Sequence, residues 1–116
     1  MTTIKALLLQ DCTSCMHPID KVIEESGYEV LRVFASAPDE LLRDIFTLQP
    51  DLIICEDAHS KLIMNIEQRI KKNIPIVFVG VAETCLTAKH IPNRPTAYLM
   101  WPFTAEVLRA MIQLLL

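Results

Sequence analysis

Pro50-Asp51-Leu52-Ile53-Ile54-Cys55-Glu56 sets four consecutive apolar residues between a helix-ending proline and an acid. A short apolar run with no polar alternation fits a strand buried on both faces, as in a parallel sheet covered by helices. Outward from it, similar runs occur at Ile4 to Leu9, Glu29 to Phe34, Ile76 to Val79 and Ala97 to Met100, with Leu52 to Cys55 in the middle. Each is separated from the next by a stretch of helical period. Ile19, Val22 and Ile23 give the first stripe, Leu41, Leu42, Ile45 and Phe46 the second, and Leu62, Ile63, Ile66 and Ile70 the third. A fourth helix is expected near residues 83–90, and a fifth from Ala105 through Leu108 and Ile112 to Leu115. Strands alternating with helices predict an α/β fold of three layers.

The punctuation agrees with this ladder. Gly27 stops the first helix, Pro50 closely follows the second, and the third is expected to run to about Asn73. Pro18 belongs in a first helical turn, so the segment from Asp11 to about His17 is expected to be a long loop. Only two glycines are present, which leaves no glycine-rich phosphate cradle and no Rossmann or Walker fingerprint.

Composition narrows the class. With 116 residues, 52% of them hydrophobic and 22% charged, the chain suits one domain with a substantial core, spanning residues 1–116. The net charge of −3 and the lack of any basic run beyond Lys71-Lys72 argue against direct nucleic-acid binding. Met-Thr-Thr-Ile-Lys carries no signal-peptide pattern and no apolar stretch has spanning length, so a cytoplasmic protein without membrane contact is expected. Four cysteines in a chain able to build its own core fit reduced thiols better than a disulfide scaffold.

Cys12-Thr13-Ser14-Cys15 also admits a redox reading, because a helix N-terminus lowers a thiol pKa. A metal site there would need further ligands, with His17 and His59 the nearest candidates. Cys55 reads as a small hydrophobe in a buried strand. The ending Ile112-Gln113-Leu114-Leu115-Leu116 is unusually apolar. It suggests a dimer contact or a longer regulator of which these residues are the N-terminal part.

Three segments in this order resemble the receiver domains of bacterial response regulators: Ala6-Leu7-Leu8-Leu9-Gln10-Asp11 with Gly27-Tyr28-Glu29-Val30; Pro50 through Glu56; and Ala97-Tyr98-Leu99-Met100-Trp101-Pro102-Phe103. The resemblance covers essentially the whole chain. It implies a flavodoxin-like (CheY-like) fold, a five-stranded parallel sheet of order 2-1-3-4-5, with a pocket at the carboxyl ends of its strands.

In receivers that pocket uses an acid pair for Mg²⁺, a phosphoacceptor aspartate, a hydroxyl residue and a lysine before a proline. By the resemblance the acid pair falls on Gln10 and Asp11, the acceptor on Glu56, the hydroxyl on Gly80 and the lysine on Trp101, with Pro102 retained and a cis Trp101–Pro102 bond expected. Gln10 offers an oxygen without charge. Glu56 places its carboxylate one methylene too far out for a reaction sensitive to about 1 Å. Gly80 has no hydroxyl, and Trp101 donates only through its indole N–H.

A degenerate, pseudo-receiver module follows, non-enzymatic, acting through protein–protein contacts with an attached or separate effector. No cofactor is expected. Mg²⁺ would matter only in a functional pocket, with a weak residual site at Asp11 and Glu56. One alternative is a conventional phosphorelay regulator served by a sensor kinase and using Asp57 or a relaxed site. The other is a redox or metal sensor at Cys12 and Cys15. The resemblance further implies an output or homodimer face at Tyr98, Trp101, Met111 and Leu115.

Overall fold

The computed structural model describes residues 3–10, 19–34, 37–56, 60–70, 72–81 and 95–115. In chain order the elements are β1 (Lys5–Gln10), α1 (Ile19–Glu25), β2 (Glu29–Phe34), α2 (Pro38–Leu48), β3 (Leu52–Glu56), α3 (Ser60–Ile66), a 3-10 turn (Glu67–Arg69), β4 (Ile76–Val81), β5 (Thr96–Trp101) and α4 (Ala105–Leu115). The strands form one parallel sheet of order β2-β1-β3-β4-β5. The expected α/β class and strand order are therefore observed. None of the described helices is long and apolar enough to cross a membrane.

Strand alternation divides the core in two. Leu7, Leu9, Ile53, Cys55, Ile76 and Phe78 point to the face covered by α2 and α3. Ala6, Leu8, Leu52, Ile54, Val77 and Val79 point to the face covered by α1 and α4. All twelve are buried, and each large aliphatic or aromatic side chain among them contributes about 1.5–3 kcal/mol by leaving water. A run that is apolar at every position, as Leu52–Cys55 is, follows from a strand whose two faces both carry helices.

Local chemistry sets the ends and the register. Gly27, at φ 90°, takes the left-handed conformation that closes α1. Asp51 explains why Pro50-Asp51 fixes β3: its N–H donates to the Lys5 carbonyl at 2.8 Å, and its Oδ2 accepts the Lys5 N–H at 3.0 Å. Ser26, buried after α1, donates its hydroxyl to the Val22 carbonyl at 2.8 Å and reaches the Ala105 carbonyl at 3.4 Å, linking α1 to α4.

Two expectations are corrected. The third helix does not continue to Asn73: its α-helical part ends at Ile66, and Ile70 is extended at φ −88° and ψ 103°. Ile70 remains buried, because the 3-10 turn tightens the chain enough to place its side chain on the core without another helical turn. The strands also run past the apolar residues that revealed them, to Gln10, Glu56, Val81 and Trp101. Ladder hydrogen bonds belong to the backbone and accept any non-proline side chain. The expected loop at Asp11 to His17, Pro18 and the fourth helix near 83–90 lie outside the described residues.

Candidate functional site

The chain leaves β1 for β2 on one side and later places β3 on the other, so β1 and β3 flank the switch point of the sheet. Gln10 is the last residue of β1 and Glu56 the last of β3, each one step beyond the paired Leu9 and Cys55. Glu56 stands beside Val79 of β4, and Gly80 follows. Trp101 ends β5 in register with Val81 and leads into a cis peptide bond to Pro102. Gln10, Glu56, Gly80 and Trp101 are thus brought to one end of one sheet. Asp11, Asp57, Cys12 and Cys15 lie outside the described residues.

Gly80 is the informative position. A Cβ built on it would lie 2.8 Å from Tyr98 Cζ and 3.0 Å from Cε1, and nearer still to the phenol oxygen. Such contacts are shorter than carbon neighbours tolerate, about 3.5–4.0 Å. Tyr98 starts from the Cα paired with Phe78, two residues earlier on β4, and its ring lies along the strand over Gly80. It is half-buried and packs against the core cluster that includes Phe78. The space a hydroxyl side chain at position 80 would use therefore holds a phenol from the neighbouring strand. A lone glycine inside Val77-Phe78-Val79-Gly80-Val81 is a sequence signal for close approach, though it does not name the approaching group.

Trp101 is half-buried and packs on the opposite core with Phe103, ring centroids 5.3 Å apart and planes at 86°. The edge-to-face pair fills space at the end of β5 without supplying a charge. Cys55 is buried, and its Sγ donates to the Glu56 carbonyl at 3.1 Å. Mg²⁺ takes oxygen ligands in near-octahedral array, commonly one or two carboxylates with water. At Gln10 the chain offers an amide oxygen without charge. Among the described residues no group of three or more His, Cys, Asp or Glu side chains converges.

Tyr98, Trp101, Met111 and Leu115 are half-buried and pack against the two cores. The exposed apolar residues of this region are Met100 at 40%, Val107 at 46% and Leu114 at 86%. Val107, Met111 and Leu114, at i, i+4 and i+7, share one stripe of α4.

The resolved charge perturbations lie on the α1–β2 flank. Arg32 pairs with Asp20 at 2.8 Å and Glu24 at 3.0 Å. The Arg32 hydrogen bond holds the Asp20 carboxyl below its ordinary range, and the two acids raise Arg32. Burial pushes the Tyr28 phenol up.

No protein-family model and no curated protein matches the sequence. Solved structures do match. A CheY-like receiver domain from Methylobacillus flagellatus aligns over 99% of this chain and 100% of its own, with TM-score 0.71 and 16% identity. The chemotaxis response regulator CheY4 of Vibrio cholerae aligns over 99% and 100%, with TM-score 0.64 and 23% identity. The N-terminal domain of a response regulator/sensory box/GGDEF three-domain protein from Carboxydothermus hydrogenoformans aligns over 95% and 91%, with TM-score 0.67 and 19% identity. The fold of this chain is that of response regulator receiver domains.

Proposed function

We propose that this chain is a cytoplasmic, non-enzymatic pseudo-receiver that regulates an effector through protein–protein contact without accepting a phosphoryl group. The observation that carries the reading is the Tyr98 ring over Gly80: the hydroxyl position is not merely empty but occupied. Glu56 in place of the acceptor, Gln10 in place of an acid and Trp101 in place of the cation support it. Phosphoryl transfer depends on positioned oxygens and fixed positive charge, and at all four positions the residue differs from the one receivers use.

The contact surface is the stripe of Val107, Met111 and Leu114 on α4, apolar and partly wet. A homodimer or an effector, attached or separate, would bury it. The Carboxydothermus hydrogenoformans structure, whose protein is a three-domain response regulator with a GGDEF segment, is a case in which this fold is joined to an effector. Glu56 keeps a negative carboxylate at the acceptor position, a partial imitation of an acyl phosphate that carries less charge and fewer acceptor oxygens.

Incubation with acetyl phosphate and Mg²⁺ followed by intact-mass measurement tests the reading. The expected mass is that of the untreated protein. A single phosphoryl adduct, abolished by Glu56→Gln or Asp57→Asn, would establish a conventional phosphoacceptor instead.

A further inference from the structure

β2 and β5 are the two edges of the sheet. On β2 the Glu29 N–H donates to the Ile4 carbonyl at 2.9 Å, and alternate residues of a strand face the same neighbour, so Glu29, Leu31 and Val33 direct their main-chain groups to β1. Val30 and Arg32 therefore turn their N–H and C=O groups away from the sheet, and neither meets a main-chain partner among the described residues. On β5 the bond from the Ile76 N–H to the Pro95 carbonyl sets the same alternation and turns Thr96 and Tyr98 outward, but both already have partners. A bare edge is a template for another strand, and proteins blunt such edges with proline or lysine. Glu29-Val30-Leu31-Arg32-Val33-Phe34 has neither. Its one cation, Arg32, is held on the α1 side by Asp20 at 2.8 Å and Glu24 at 3.0 Å, and Leu31 is half-buried.

We infer that β2 pairs antiparallel with β2 of a second copy about a twofold axis at Leu31, joining two sheets into one. The outward groups decide which residues meet: Val30 and Arg32 must face Val30 and Arg32 of the other copy. Two registers overlap the strand most fully. Centring the axis on Arg32 sets two cationic residues directly opposite each other, which is destabilising. Centring it on Leu31 sets each Arg32 opposite a Val30, where the arginine stem covers the valine, and each such pair exchanges both N–H···O bonds. The same register joins the two Leu31 residues as a non-hydrogen-bonded pair with Cα atoms about 4.5 Å apart and lays Glu29 opposite Val33, so no like charges are directly opposed. β2 is thus complementary to itself in one register, as a twofold interface demands. The pairing uses neither α4 nor the pocket at Gly80, and it leaves the stripe of Val107, Met111 and Leu114 open to an effector.

Single cysteine variants of the whole chain at Leu31 and Arg32, mildly oxidised and located by peptide mass mapping, test the register. A disulfide spans Cα atoms roughly 4.4–6.8 Å apart, so the self-link between two copies of Leu31→Cys is expected to predominate. Leu114→Glu in that background should leave the link unchanged, which separates this edge from the α4 stripe. Sedimentation of the native chain over a concentration series should show a monomer–dimer equilibrium. Val30→Pro removes an outward donor from each copy without touching the ladder to β1, and the loss of two hydrogen bonds should weaken dimerisation by about tenfold. A chain monomeric at every concentration, a self-link that is absent at Leu31→Cys or stronger at Arg32→Cys, a link lost with Leu114→Glu, or dimerisation unchanged by Val30→Pro would overturn the assignment.

Discussion

Replacing Gly80 with alanine adds one methyl group where the Tyr98 ring already lies. The backbone tolerates the change, since Gly27 is the one glycine at positive φ among the described residues. On that account alone alanine should stabilise the chain by about 0.4–1 kcal/mol, through lower unfolded-state entropy. The sterics oppose this. The new Cβ would sit 2.8 Å from Cζ and 3.0 Å from Cε1 of Tyr98, an overlap of about 1 Å with ordinary carbon contact. The ring is half-buried against the Phe78 cluster, so a shift large enough to clear a methyl group gives up part of that packing. Overpacking of this kind costs about 1–3 kcal/mol, and the net expectation is a loss of roughly 0.5–2 kcal/mol.

Urea unfolding of the native chain, Gly80→Ala, Tyr98→Ala and the double variant measures the coupling directly. In the Tyr98→Ala background the sign should reverse, with alanine at position 80 neutral or stabilising. A coupling energy of at least about 1 kcal/mol is expected from neighbours in direct contact. If Gly80→Ala costs the same in both backgrounds, or nothing in the native one, the ring is not what bars a side chain from position 80 and the reading of the pocket as filled fails.

Gln49 closes α2 in the left-handed region at φ 49° and ψ 59°, so Gln49→Gly should raise the urea midpoint, equivalent to about 0.5–1 kcal/mol, where most glycine substitutions lower it. Asp20→Asn should destabilise by at most about 1 kcal/mol at pH 7, the scale of an exposed pair. Because the folded carboxyl is held below its ordinary value of 3.8, that stabilisation is whole above about pH 4 and is lost as pH falls through the lowered folded value. The two proteins should therefore converge in stability as pH falls below that lowered value. Leu114→Glu, at an 86% exposed position, should leave stability within about 0.5 kcal/mol while lowering any self-association seen by sedimentation; unchanged association would move the contact elsewhere. Ser26→Ala, which removes the buried hydroxyl donor to Val22 and Ala105, should cost about 1 kcal/mol by chemical denaturation.

Much of the architecture was legible in residues 50–56. An apolar run without alternation is needed only when both faces are buried, and repetition of that pattern with helical stripes between leaves few folds. Asp51 added the register, since its backbone and carboxylate both bind Lys5. Less legible was the end of α3: Ile66 and Ile70 share a helical period, yet a 3-10 turn also buries Ile70, and periodicity does not separate the two routes. The polar residues ending β1 and β3 escaped the apolar pattern for a similar reason, because strand pairing is a property of the main chain.

The sequence by itself determined which chemical groups stand at the carboxyl ends of the strands: an amide at Gln10, a long carboxylate at Glu56, no side chain at Gly80, an indole at Trp101. Covalent identity settles what each can donate or accept, and strand order alone brings them to one end of the sheet. Only the tertiary structure decided what became of the space at Gly80, and which residues near the end of the chain face water. Tyr98 turns inward because a void beside its strand, made by a glycine on a different strand, gives the ring a place to pack. Leu115 packs half-buried while Leu114 stays exposed because the rotation of α4 is set by Leu108 and Ile112 against the sheet. Both outcomes depend on contacts between residues far apart in the chain, which no local pattern records.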